Sequence, residues 1–194
     1  MLSRLSRFFF QRNGWTVNPD IPEEIYQKCV MIGAPHTSGW DFFYSIGTFD
    51  QINVPLRFAA KIELKKPILG PMMERLGVIW IDRSKGASER DGISYVDQMA
   101  QLFEKYDQLT LAIAAEGTRS LTTRWKSGFY HVATIARVPI VLGYLDYVKK
   151  EAGFGKVIYP SGDMSADMKQ IMDFYRDIPG KYPELFALDE RFAS

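Results

Sequence analysis

Cysteine and histidine are scarce in this chain: Cys29 is its single cysteine, and His36 and His131 are its two histidines among 194 residues. One thiol excludes an internal disulfide and fits a reducing compartment. So few soft ligands leave no ordinary structural zinc site, and no metal is expected. Long hydrophobic runs are missing as well. The longest, Leu109–Ala115 and Val138–Leu145, have the length of strands and fall far short of the ~20 residues of a membrane span. No continuous apolar stretch follows the first basic residues, so no signal peptide is expected and the default location faces the cytosol. The sequence has no P-loop, no Gly-rich dinucleotide turn, no G-x-S-x-G elbow and no H-E-x-x-H. Nucleotide hydrolysis, simple hydride transfer and serine-hydrolase chemistry lose their usual support. Zinc-finger spacing and a basic zipper pattern are absent too, and nucleic acid is not an expected partner.

What is present is the composition of a globular protein, 46% apolar and 24% charged. The length suits one domain with a sizeable core. The net charge of +1 hides an uneven distribution. Between Pro55 and Arg90, Arg57, Lys61, Lys65, Lys66, Arg75, Arg83, Lys85 and Arg90 outnumber Glu63, Glu74, Asp82 and Glu89. Arg119, Arg124 and Lys126 follow with no acid among them. Such a surplus is either a solvated face or a site for an anion such as phosphate, coenzyme A or an acidic headgroup.

Periodicity predicts strands at Cys29–Gly33, Arg57–Ala60, Val78–Ile81, Leu109–Ala114, Ile140–Tyr144 and, more weakly, Lys156–Tyr159. Helices are predicted at Ser38–Phe49, Pro67–Leu76, Ser88–Tyr106, Gly128–Ala136 and Asp163–Ile178. The third carries the stripe Ile93, Val96, Met99, Ala100, Phe103 and Tyr106, and the last repeats it with Met164, Met168, Ile171, Met172 and Tyr175; both read as core faces. Alternation of this kind implies a single α/β domain, its sheet mixed but largely parallel and flanked by helices. Met1–Gln11 forms a predicted helix with Leu2, Leu5, Phe8 and Phe9 on one side, Arg4 and Arg7 on the other, and no acid before Asp20. That pattern suits a helix lying on an anionic membrane, or one docked on the protein's own core. The expected division is residues 1–20 as an amphipathic membrane-contact segment and 21–194 as the main domain.

Chemistry concentrates in four blocks. Ala34-Pro35-His36-Thr37-Ser38-Gly39-Trp40-Asp41 lies between a predicted strand and helix. Ser38 is a natural N-cap, and Asp41 completes a capping box. The same geometry can bring the Asp41 carboxylate back toward His36, where it would fix one ring nitrogen and leave the other as a base. With no serine or cysteine nucleophile beside it, such a base activates a substrate hydroxyl or amine directly. The alternative is a helix terminus and a structural histidine. Past other strand ends come Lys61, Arg83 in Gly77–Arg83, and Glu116-Gly117-Thr118-Arg119, where ligands of α/β sheets gather. For Arg83 and Arg119 a salt bridge with Asp82 or Glu116 is the competing reading.

In this order and spacing the blocks resemble the glycerolipid acyltransferase family, which includes the 1-acylglycerol-3-phosphate (lysophosphatidate) acyltransferases, and look like a short bacterial branch of it. His36-x-x-x-x-Asp41 matches the HxxxxD motif, Gly77–Arg83 the second, Glu116–Arg119 the third and Val138-Pro139-Ile140-Val141 the fourth, over about residues 29 to 145. Leu142 stands where many relatives have proline. The resemblance implies transfer of an acyl group from acyl-CoA or acyl–acyl carrier protein, as cosubstrate rather than bound cofactor, to a hydroxyl of a lysophospholipid such as lysophosphatidate. His36 and Asp41 would be catalytic. Lys61, Arg83 and Arg119 would hold the acceptor's anion, and Glu116, Gly117 and Thr118 would shape its pocket. The membrane surface, on its cytoplasmic side, is the expected partner. A different acceptor (an amino-acid lipid or a pathway-specific alcohol), thioester hydrolysis, and a non-catalytic lipid-binding role remain open at this point.

Overall fold

Strand Lys28–Gly33 is buried on both faces, and the architecture is organised around it. The computed structural model describes residues 2–54, 56–67, 69–75, 77–81 and 94–193, with the side chains of residues 2–5, 61, 64 and 69 outside that description. The strands are β1 (Thr16–Pro19), β2 (Lys28–Gly33), β3 (Leu56–Lys61), β4 (Val78–Ile81), β5 (Leu109–Ala114), β6 (Ile140–Asp146) and β7 (Glu151–Ile158). The helices are α1 (Leu2–Arg12), α2 (Glu23–Tyr26), α3 (Gly39–Gln51), α4 (Leu69–Arg75), α5 (Tyr95–Lys105), α6 (Gly128–Ala136) and α7 (Met164–Tyr175).

The strands form one sheet in the order β1-β7-β6-β2-β5-β3-β4. The β6–β7 pair is antiparallel and every other pair is parallel. This is the mixed, largely parallel α/β sheet that the alternation implies. Because side chains alternate across a strand, Val30 and Ile32 join the core beneath α5, α6 and α7. Cys29 and Met31 face the opposite layer, where Phe154 and Phe49 of α3 pack. Cys29 is fully buried and burial pushes its thiol up to about 12, which removes it as a nucleophile. The stripes of α5 and α7 are core faces: Met99, Ala100, Phe103, Met168, Ile171, Met172 and Tyr175 are all buried.

Helix α1 docks along α3. Phe10 is fully buried, Ser6 nearly so, and the Ser6 hydroxyl donates to the carbonyl of Phe43. The approach depends on Gly47, where a Cβ would lie 3.2 Å from Ser6 O and 3.3 Å from Phe10 Cβ. Phe8 and Phe9 point away, 59% and 39% exposed. Among the described side chains of α1, Ser6 and Phe10 dock, whereas Phe8 and Phe9 of the sequence pattern face outward; Leu2 and Leu5 of that pattern lie outside the described side chains. Phe10 lies between the two faces, and the aromatic cluster it completes with Trp15 and Tyr44 decides which way it turns.

Other boundaries also differ from the sequence expectation. β1 and α2 carry too few residues for a period to register. β7 starts at Glu151 because its pairing with β6 and β1 supplies what its glycine-rich sequence lacks. Helix α5 begins at Tyr95, since Ser94 and Asp97 form a capping box there; residues 88–93 of the predicted helix lie outside the described residues. Among the described residues no helix is long and apolar enough to cross a membrane.

Candidate active site

Parallel pairing sends the carboxyl ends of β2, β5 and β6 to one edge, and the loops leaving that edge carry the polar residues. The loop after β2 runs through a cis Ala34–Pro35 peptide to His36. Ser38 is extended and caps α3, with Ser38 N–H donating to Asp41 Oδ2 at 2.9 Å and the Ser38 hydroxyl accepting from Trp40 N–H at 3.1 Å. The same Asp41 Oδ2 lies 3.2 Å from His36 Nδ1. Asp41 is buried while the ring of His36 remains 28% accessible. The capping box and the His–Asp pair are thus one arrangement: the helix terminus aims the carboxylate that holds the imidazole. With Nδ1 facing Asp41, Nε2 is left as the free nitrogen.

Glu116 follows β5 and turns inward. It is 1% exposed, its Oε1 accepts from His36 N–H at 2.6 Å, and Oε2 is buried with no hydrogen-bond partner among the described residues. Burial, the largest cause, pushes its carboxyl up to about 7 against the His36 N–H, which pulls the other way. It supports the His36 loop from below. Gly117 has φ +70°, and the Lys126 stem covers the place where a Cβ would sit. Thr118 Oγ1 accepts from Ser120 N–H at 3.1 Å and tightens the turn.

Arg119 is exposed and comes to the start of α3, with Nη1 3.2 Å from the position a Cβ on Gly39 would take. It forms no ion pair with the described residues, Glu116 included. An unpaired guanidinium beside a helix N-terminus is suited to an anion. Trp40, Phe9 and Tyr182 line the same shallow depression. Lys61 is the last residue of β3, its side chain outside the described set; Arg83 lies in 82–93, also outside it. His36, Asp41, Glu116, Gly117 and Arg119 are brought together around one loop.

Beneath α3 lies a largely apolar cavity of about 240 Å³ that has His36 and Asp41 in its lining. Met31, Phe42, Phe49, Phe58, Ala112 and Phe154 are among its walls. Thr37, inside the HxxxxD block but given no role there, also touches the site, as do Tyr147 and Tyr182, which no motif announces. Thr37 Oγ1 accepts from Tyr182 N–H at 3.2 Å, tying the segment after α7 to the His36 loop. Among the described residues no cluster of His, Cys, Asp or Glu is placed to hold a metal ion.

The sheet thus carries a paired imidazole and carboxylate beyond its central strands, beside an apolar cavity. A family model described as Acyltransferase matches residues 17–142, and the chain belongs to that family. It is 35% identical over 136 residues to a probable 1-acyl-sn-glycerol-3-phosphate acyltransferase of Mycoplasma genitalium. That match covers 65% of this chain and 46% of the relative, so it spans about half of the relative's length. The crystal structure of the 1-acyl-sn-glycerophosphate (LPA) acyltransferase PlsC from Thermotoga maritima shares the fold, with a TM-score of 0.55 at 14% identity over 89% of this chain and 74% of that one.

Proposed function

We propose that the chain transfers an acyl group from an acyl thioester, on coenzyme A or acyl carrier protein, to a hydroxyl of a lysophospholipid, with lysophosphatidate as the leading acceptor. The observation that carries this reading is the His36–Asp41 pair in the lining of an apolar cavity. A hydrophobic channel accommodates an acyl chain, and a paired imidazole accommodates the proton that the attacking hydroxyl must lose. The relative named for 1-acyl-sn-glycerol-3-phosphate favours that acceptor.

In this mechanism His36 Nε2 takes the hydroxyl proton as the acceptor oxygen bonds to the thioester carbonyl carbon. Asp41 holds the tautomer and stabilises the imidazolium. The tetrahedral adduct collapses, the C–S bond breaks, and the departing thiolate takes the proton from His36. Ester and free thiol result, and no acyl-enzyme forms. Arg119, with Lys61 and Arg83, binds the acceptor's phosphate. Glu116, Gly117 and Thr118 set the loop that frames it. The protein works at the cytoplasmic surface of the membrane, where the exposed Phe8 and Phe9 insert.

The test is mass spectrometry of products from purified protein given acyl-CoA or acyl–acyl carrier protein and a panel of lysolipids, with His36→Ala alongside. Acylated lysolipid formed only with His36 intact is the expected result. Equal product from both proteins removes His36 as the base. Free fatty acid without an acylated acceptor identifies a thioester hydrolase instead.

A further inference from the structure

Asp41 has two carboxylate oxygens, and only one is used by the His36 loop. The other, Oδ1, accepts the phenolic hydrogen of Tyr147 at 2.6 Å. Tyr147 sits in the turn between β6 and β7, beyond residue 142 where the family match ends. The turn is firmly built: buried Asp146 accepts from Val148 N–H at 3.0 Å and Lys149 N–H at 2.8 Å, and Tyr147 N–H donates to Pro179 O at 3.3 Å. The Tyr147 ring meets Trp15 edge-on at 5.0 Å and 88°, and Tyr44 at 5.9 Å and 83°. Trp15 stacks on Tyr44 at 4.4 Å, and Phe10 of α1 packs against both.

We propose that Tyr147 is a positioning residue for acyl transfer: its hydroxyl holds the Asp41 carboxylate in the orientation that offers Oδ2 to His36, and the Phe10–Trp15–Tyr44 cluster holds Tyr147. The inference rests on the proposed role of the His36–Asp41 pair. A short hydrogen bond to an ionised acceptor is among the strong ones, and it fixes direction as well as energy. Without it, Asp41 Oδ1 is a buried lone pair with no donor, and the carboxylate is free to turn away from the ring. Burial, followed by the bond to Asp41, holds the Tyr147 phenol far above its ordinary range, so it stays a donor through any working pH. The other titratable or charged groups around the pair are Glu116 beneath His36, Tyr44 and Tyr182 beside Tyr147, and Arg119 at Gly39.

Tyr147→Phe keeps the ring contacts and removes the hydroxyl. The expected result is a fall in kcat of roughly tenfold with KM for both substrates changed less than about twofold. An Asp41 carboxylate that has lost its donor attracts the imidazole proton more strongly, so the acid limb of kcat/KM moves to higher pH. Trp15→Phe, which loosens the clamp and leaves the hydroxyl, moves the same limb in the same direction by less. In an Asp41→Asn background, Tyr147→Phe changes kcat by less than about twofold, because the partner it acts through is gone. A wild-type kcat and pH profile in Tyr147→Phe, with His36→Ala inactive, overturns this proposal and leaves the acyl-transfer reading standing. The same tenfold loss in both backgrounds also overturns it. Full activity in His36→Ala overturns the reading on which it rests.

Discussion

Glu116→Gln tests the electrostatics beneath the site by a route that needs no substrate. The carboxyl is 1% exposed, has one donor at Oε1 and none at Oε2, and is pushed from 4.5 to about 7. The folded chain therefore keeps a proton that the unfolded chain releases. The resulting stability is fully present below pH ~4.5, declines as pH rises, and is lost once pH passes about 7. Integrated from pH 5 to pH 8, the loss amounts to about 2.5 kcal/mol. Glutamine mimics the protonated acid: its carbonyl accepts from His36 N–H and it carries no charge at any pH. Urea unfolding of both proteins at several pH values cancels the contributions of all other groups. The expected outcome is a difference between them that shifts toward the variant by about 2.5 kcal/mol from pH 5 to pH 8, at unchanged m. Two curves that stay parallel across this range mean that Glu116 is already ionised in the folded protein at pH 5. The assignment of a neutral acid under His36 is then wrong.

Phe10→Ala empties a fully buried position between α1 and α3 and is expected to cost about 3 kcal/mol, seen as a melting temperature lower by about 9 °C. Phe8→Ser with Phe9→Ser removes the two aromatic rings that α1 turns outward; flotation with anionic vesicles is expected to drop while melting falls by less than about 4 °C. Retained flotation places the membrane contact elsewhere. Ala112→Leu inserts about three carbons into the cavity wall, and product analysis is expected to show a preference for acyl chains shorter by roughly that number, with activity on short chains preserved. An unchanged chain-length profile takes the acyl chain out of this cavity.

The sheet was readable where burial was symmetrical. Leu109–Ala114 and Ile140–Tyr144 are near-continuous apolar runs because parallel strands are covered on both faces, and runs of this kind need no context to be recognised. β1 was not readable: Thr-Val-Asn-Pro alternates nothing, and it is a strand because β7 offers it an edge. The capping box at Ser38 is visible in four letters and permits the return of Asp41 to His36, but the contact itself depends on the path of the loop through Pro35. Glu116 was visible as a residue, but its inward direction was not, since that depends on the depth of β5 in the sheet. Tyr147 had no signal at all. A tyrosine in a hairpin turn is ordinary, and only the register of β6 against the end of β2 brings its hydroxyl to Asp41.

The edge position of β1 has a consequence for the order in which the chain can fold. Its pairing partner is β7, with Thr16 opposite Glu151 and Pro19 opposite Phe154. During synthesis the amino-terminal strand therefore emerges early and stays unpaired until nearly the whole sheet has been made. The central pairs β2–β5 and β2–β6 close before it. Phe10 has its α3 partners, Tyr44 and Gly47, early, but throughout that interval Trp15 has no Tyr147 to rest on. Final closure of β1 against β7 is then the step that seats Trp15 against Tyr147, with Phe8 and Phe9 left exposed.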